Sequence, residues 1–266
     1  MPLRSAPVRL VPAALAACLS VASPAFAQFQ GVVSLPPVGP GDSRLLGGAA
    51  LLVRPVYAGS DDWVATLLPY VDYAHRNGFF AGTGTGIGWS FVNTPSTQIG
   101  LRLVPRFGRY ERDSDDLRGL GDISTTVEGG AYWTQSLSPA WTVGASVRGG
   151  SRGTELDAGA RRDLQLGPAT RLAVGGYATL ANGRSQRTWY GIDANQAALS
   201  GYAPYEASSG LRGVSATASI NHFFGGRWLA VGGVGVGRLL GDAADSPLVR
   251  DRTSVGGFAA IGYRFF

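Results

Sequence analysis

The residues able to do chemistry are few in this chain, and their spacing argues against catalysis. His75 and His222 are the only histidines, and Cys18 is the only cysteine. His75 precedes Arg76-Asn77 at the end of a strand-like segment, and His222 stands beside Phe223-Phe224. A nucleophilic triad needs an orienting acid and a placed nucleophile around the histidine, and neither context supplies them. No H-E-x-x-H, G-x-S-x-G or paired metal-ligand spacing occurs. The glycines at 82, 84, 86 and 88 do not form G-x-G-x-x-G and do not open a helix, so they read as a small-residue seam rather than a phosphate cradle. No catalytic, cofactor-binding or metal-binding residue is assigned, no cofactor is expected, and the chain is expected not to be an enzyme.

Two other groups of polar residues remain. Asp72, Gln98, Arg102, Arg106, Glu128 and Arg148 each fall on the polar side of an alternating segment. Facing an enclosed interior, they have two readings. They pair with one another, because buried charges need partners, or the arginines line a constriction that favours anions. The second group is Asp61, Asp62, Asp115, Asp116, Asp242 and Asp245, in turn-rich stretches. Aspartate there forms local hydrogen bonds that shape turns; binding of a divalent cation or a polycation is the alternative.

Strands must position these groups. Segments near 45–56, 63–75, 78–91, 97–108, 122–136, 140–151, 154–165, 169–190, 211–224, 227–240 and 252–266 alternate or are strand-like, and none shows helical periodicity. Many short strands at regular spacing indicate a sandwich or a barrel. In 63–75, Trp63, Ala65, Leu67, Pro69, Val71 and Tyr73 share a face opposite Tyr70 and Asp72. In 78–91, Phe79, Ala81, Thr83, Thr85, Ile87, Trp89 and Phe91 oppose the glycines. In 97–108, Ile99, Leu101, Leu103 and Phe107 oppose Gln98, Arg102 and Arg106. Trp63 to Tyr73, and Phe79 to Trp89, span ten residues each, or about 25 Å along the membrane normal for a strand tilted by about 40°. That is the height of the apolar band between the aromatic girdles of a transmembrane barrel.

The chain ends on Val255, Gly257, Ala259, Ile261, Tyr263 and Phe265 in strict alternation, with Phe266 beyond. Such an apolar edge is a liability unless the sheet closes on itself. The ending resembles the C-terminal targeting strand of bacterial outer-membrane barrels. At the other end, Arg4 and Arg9, the apolar run Leu10–Ala22 and Ala25-Phe26-Ala27 read as a secretory signal peptide over 1–27. Leu15-Ala16-Ala17-Cys18 also reads as a lipobox, with Cys18 lipidated. Removal of the signal takes the only cysteine, so no disulfide is expected. All 23 basic residues are Arg, and the formal net charge is +5, two charges of which lie in the signal. This excess is too small to indicate a nucleic-acid partner.

The expected architecture is therefore all-β: an antiparallel transmembrane barrel over 45–266 after an N-terminal lead at 28–44, with about twelve strands and ten or fourteen as alternatives. An even count keeps both ends of the barrel on one side. Eleven segments need one more strand, from Gly31–Leu35 or from splitting 169–190. The long loops near 109–121, 191–210 and 241–251 should share the outer end.

Several loop motifs are specific. Pro55-Val-Tyr-Ala-Gly-Ser-Asp-Asp62 with Leu68-Pro-Tyr-Val-Asp-Tyr73 and Gly78-Phe-Phe80 resembles the opening of the MipA/OmpV family of outer-membrane proteins. Asp115–Ile123 with Val127-Glu128, then Tyr190-Gly-Ile192, Ser200–Tyr205, Gly210-Leu211, Arg238–Val249 and Tyr263-Arg-Phe265 resemble its later blocks in the same order. Phe266 departs from that pattern. The resemblance implies an outer-membrane location and a scaffold that joins a lytic transglycosylase, MltA, to a murein synthase, with outer-membrane lipid as the surrounding partner. It implies no catalytic residues. A small-solute channel with an Arg-lined lumen is the alternative function, and a hydrolase with Ser/His or Asp/His at the barrel rim is a weak third.

Overall fold

In a computed structural model, which describes residues 43–266, the chain closes into a twelve-stranded antiparallel barrel in which each strand pairs with its sequence neighbours and β1 pairs with β12. The strands are β1 (Arg44–Pro55), β2 (Trp63–Ala74), β3 (Phe79–Gly82), β4 (Gly86–Asn93), β5 (Thr97–Arg106), β6 (Thr126–Ser136), β7 (Trp141–Gly150), β8 (Gly153–Gln165), β9 (Thr170–Ala181), β10 (Gly210–Phe224), β11 (Trp228–Leu239) and β12 (Thr253–Arg264). The signal peptide, Cys18 and Gly31–Leu35 lie outside the described residues.

The twelfth strand has a different origin from either expectation. Segment 78–91 is not one strand but the tight hairpin β3–β4, in which Phe79 pairs with Trp89. The two aromatics are thus neighbours at one rim, not markers of opposite membrane faces. Gly86 (φ +78°) takes the left-handed conformation that ends the turn. The seam reading survives at Gly88, where a Cβ would lie 2.4 Å from the Phe80 ring. Segment 169–190 is β9 followed by a helix, and 97–108 ends as a strand at Arg106, so Phe107 lies beyond the strand and is buried rather than on the outward face.

Short β3 pairs with β2 only at Asp72–Ala74, and β4 with β5 only between Gln98 and Leu103. The remaining edges of β2 and β5 carry no ladder there. Pro69 and Pro105 stand on these two edges. Pro69 O accepts from Thr83 Oγ1 at 2.9 Å, and Leu103 O faces Gly86, so the two-residue period turns the nitrogens of Pro69 and Pro105 toward the unpaired side. A proline leaves no N–H unsatisfied on such an edge.

Alternation sets the two faces of the wall. Leu67, Leu101, Leu103, Val127, Val234 and Val255 point outward and are exposed, while Tyr70, Asp72, Val104 and Val231 are buried inside. Trp63 and Tyr73 do bracket β2. The other large exposed aromatics of the wall lie toward the end where the barrel's first and last strands begin and finish, among them Trp89, Trp133, Trp141 and Trp228. There Phe224, Trp228, Tyr263 and Phe265 pack ring to ring, with centroids 5.2–6.4 Å apart. The extra Phe266 has a place in the closure: Leu45 N donates to its carbonyl at 3.2 Å, and Phe265 N donates to Leu45 O at 2.9 Å.

The opposite end is a folded cap. Its segments are the β1–β2 connection, residues 107–125, residues 182–209 and the β11–β12 connection. They contain three helices, α1 (Gly183–Tyr190), α2 (Ala194–Ser200) and α3 (Gly241–Ala244). At eight residues or fewer these are too short to display periodicity. Their N-termini carry capping residues: Asn182 accepts from Ser185 N, and Asp193 and Gln196 form a capping box. Two apolar clusters hold the cap together, Trp189, Tyr190, Ala207, Leu239 and Ala243 in one, Tyr57, Leu117, Leu120, Ile192 and Leu248 in the other. Polar ties cross between loops. Tyr57 Oη donates to Leu248 O (3.0 Å), Tyr205 Oη to Asp242 O (2.7 Å) and Arg109 Nη1 to Trp189 O (2.9 Å). Burial lowers the Arg109 pKa to about 10.

Two outcomes follow from this arrangement. Leu67 is 71 % exposed on the outward face of β2; Leu67→Arg should destabilise the barrel by about 2–4 kcal/mol, read as a shift in urea unfolding from lipid vesicles, whereas Leu67→Val should not. In the cap, Arg250 Nη2 donates to Asp116 at 2.6 Å, and that hydrogen bond holds the Asp116 carboxyl below its ordinary 3.8. A depressed acid stabilises above its ordinary pKa and loses that contribution as pH falls through its folded value. Protease cleavage within the cap should therefore rise on acidification below about pH 4, and Asp116→Asn should raise cleavage at neutral pH and flatten the dependence.

Candidate functional site

The lumen beneath the cap is filled by charge, and its centre is a residue not singled out from sequence, Glu155 at the start of β8. Its side chain is almost fully buried. Arg106 from β5 makes a two-pronged contact, Nη1 to Oε2 at 3.0 Å and Nη2 to Oε1 at 2.8 Å. Arg212 from β10 donates to Oε1 at 2.5 Å, and Arg148 from β7 donates to Oε2. Ser185 Oγ from α1 adds a bond to Oε1 at 2.8 Å. One carboxylate thus joins four strands of the wall to the cap. The ring of Trp189, one helical turn beyond Ser185, lies 4.6 Å from the Arg106 guanidinium carbon, within cation–π range.

Further carboxylates surround the same arginines. Glu128 on β6 lies 3.5 Å from Arg148 Nε, and Asp157 on β8 lies 3.5 Å from Arg148 Nη1. Thr179 Oγ1 donates to Asp157 at 2.6 Å. Four guanidinium groups, those of Arg102, Arg106, Arg148 and Arg212, thereby face three carboxylates. The six polar residues assigned to the interior from sequence all lie inside the barrel, but not in one site. Arg106, Glu128 and Arg148 belong to the cluster, and Arg102 borders it. Asp72 pairs with Arg44 at 2.7 Å on another part of the wall, and Gln98 donates to Asn93 at 3.0 Å near the terminus-bearing end.

Glu155, Asp157 and Arg161 share a period-two face, so the same alternation argument reaches them. Arg212 was hidden from it. Val214 and Ile220 point outward from β10, and strict alternation would send Arg212 the same way. A register shift against β9 between Leu211 and Gly213 reverses the direction locally, so Leu211 is exposed and Arg212 buried. Bulges re-aim side chains in this manner.

Below the cluster lies a cavity of about 320 Å³. Its walls include Phe80, Tyr132, Tyr177, Ser146 and Thr142, its inner end includes Arg102, Asp157 and Arg212, and Thr94–Thr97 and His75 place its other end at the short turns of the terminus-bearing rim. Gly100 makes room there, since a Cβ would approach Tyr132 Oη to 2.7 Å.

Each histidine makes a local contact. His75 Nδ1 accepts from Asn77 N at 3.2 Å, and His222 Nδ1 bonds Thr170 Oγ1 at 2.8 Å while its ring stacks on Phe224. The loop aspartates serve the cap: Asp62 accepts from Ser114, Asp116 from Arg250, and Asp242 from Ser208 N, while Asp115 and Asp245 pair with Arg118 and Arg252. Among the described residues no group of three or more His, Cys, Asp or Glu is placed to hold a metal ion.

Comparison with known proteins adds a family. Residues 47–265 match the family model described as MltA-interacting protein MipA. No curated protein matches the chain. Among solved structures it is similar to the toluene transporter TodX of Pseudomonas putida, at 11% identity over 94% of this chain and 93% of that one with a TM-score of 0.41. It is also similar to the CymD monoaromatic hydrocarbon channel, at 10% identity over 92% of each chain with a TM-score of 0.40. Scores this low carry no information about activity.

Removing the central acid should be costly, because it leaves three buried guanidinium groups facing one another. Glu155→Gln is expected to destabilise the folded barrel by about 3–5 kcal/mol, and Glu128→Gln by clearly less, since Glu128 makes a single longer contact. Urea unfolding followed by tryptophan fluorescence measures both; equal effects would contradict the central role of Glu155.

Proposed function

This chain belongs to the MipA family, and from that premise we propose that it is a non-enzymatic scaffold in the outer membrane of a Gram-negative cell, exported by the signal at 1–27, where it holds a lytic transglycosylase of the MltA type and, through it, a murein synthase. The observation that carries the reading is the family match over nearly the whole barrel, residues 47–265, to a description that names MltA as the interacting protein.

The geometry supports a scaffold over the alternative of an anion channel. A conducting constriction needs charge available to the ion. Here Arg106 is held by Glu155 in a bidentate pair, and the cap packs over the cluster through Ser185 and Trp189. With the cap outward, the short turns at the other rim face the periplasm, where a peptidoglycan enzyme works. Leu137 and Leu166 are exposed on two of these turns, between β6 and β7 and between β8 and β9. They are apolar side chains available to a partner.

Photo-crosslinking in intact cells tests this directly. A crosslinking residue at Leu137 or Leu166 should capture a murein hydrolase, and one at exposed Leu199 in the cap should not. Purified barrel in planar bilayers should show little steady current, unchanged by Arg106→Ala. Capture of no murein enzyme from the periplasmic turns, together with robust conductance, would replace the scaffold with the channel.

A further inference from the structure

Arg102 has no carboxylate partner of its own. Among the described residues no acid lies within ion-pair distance of it; its Nη2 donates to Ser146 Oγ at 3.1 Å, its Nε has no hydrogen-bond partner, and the Tyr132 ring lies 5.7 Å from its guanidinium carbon. Asp157 attracts it from beyond ion-pair distance, but that acid is shared with other groups. Arg106 and Arg212 are taken by Glu155. Asp157 is engaged by Thr179 and Arg148. The other arginines lining the cavity's lower walls are matched, Arg44 by Asp72 and Arg161 by Asp163. Arg102 thus lies at the inner end of the cavity with no carboxylate of its own.

A guanidinium withdrawn from water without an anion is unfavourable, and its planar donor set suits a carboxylate or a phosphate. The surroundings specify more than charge. Ser90 and Tyr132 hydroxyls, 2.6 Å apart, and Ser146 and Thr179 offer hydroxyl donors and acceptors along the walls, while Phe80 packs edge-on against Tyr132 at 5.8 Å. Aromatic faces interleaved with hydroxyls fit a small polyhydroxylated ring. The cavity volume of about 320 Å³ lies at the small end of the usual range for ligand sites.

We propose that this cavity is a blind binding site, entered from the rim opposite the cap, for a small hydroxylated molecule bearing a carboxylate or phosphate, with Arg102 as the anion-binding residue. The proposal is independent of the scaffold role: it concerns the lumen, not the turns, and it stands whether or not a murein enzyme docks outside.

Isothermal titration calorimetry on the folded full barrel in detergent tests it, with glucuronate, glucose 6-phosphate and neutral glucose as probes. One or both anions should bind and glucose should not; which anion binds distinguishes the carboxylate from the phosphate. Arg102→Gln should weaken binding about tenfold or more, since it removes a charge-assisted contact. Thr142→Trp, which narrows the cavity beside the β6–β7 turn without touching Arg102, should abolish binding while leaving the unheated gel mobility of a folded barrel. This second variant carries the test if Arg102→Gln fails to fold. Absence of anion binding to the wild-type barrel, equal binding of glucose, or unchanged binding to folded Thr142→Trp would overturn the proposal.

Discussion

A single buried carboxylate organises the closed end of this barrel. Glu155 receives donors from β5, β7, β10 and α1, so the registers of those strands and the seat of the cap are tied to one point. Such a centre tolerates little displacement. An arginine drawn away from Glu155 would remain in a confined space with too few acids, and the remaining arginines would repel one another. The cluster therefore acts less as a source of net stability than as a restraint on geometry. It fills the lumen beneath the cap with charge that is largely paired, and the cap rests on it through Ser185 and the face of Trp189.

The molecule is consequently polarised along its axis. At one end, long connections fold into a cap with its own apolar clusters. At the other, short turns border a cavity, and a chain of aromatic rings packs on the outer side of the wall. The motifs that resemble the family come largely from the first end. Pro55–Asp62, Asp115–Ile123, Tyr190–Ile192, Ser200–Tyr205 and Arg238–Val249 are far apart in sequence but meet there, through Tyr57 with Leu248, Ile192 with Tyr205, and Tyr202 and Asp116 with Arg250. The partner surface proposed above lies at the other end.

Alternation made most of the wall legible. Leu67 outside and Asp72 inside, or Leu103 outside and Arg102 inside, follow from a period of two in a wall with lipid on one face. The same rule failed where the backbone departs from a regular strand. The glycines of 82–88 alternate with larger residues as a strand would, yet Gly86 adopts a positive φ and the segment folds back as a hairpin. Arg212 sits at a bulge, so its parity misreports its direction. The cap helices are only a few residues long, and packing between loops, not their own periodicity, holds them.

By itself the sequence determined the class of the molecule: a chain whose alternating strands require a closed barrel, with arginines and acids turned inward. These are local consequences of side-chain type and spacing. Only the tertiary structure decided which charges meet. Arg106, Arg148, Glu155 and Arg212 span more than a hundred positions and converge because the closure of the sheet, one bulge and the folding of α1 over the lumen bring them within hydrogen-bond reach. Pairing energies fall steeply with distance and with exposure to water, so which arginine is paired with an acid and which, such as Arg102, is not depends on contacts that spacing along the chain does not encode.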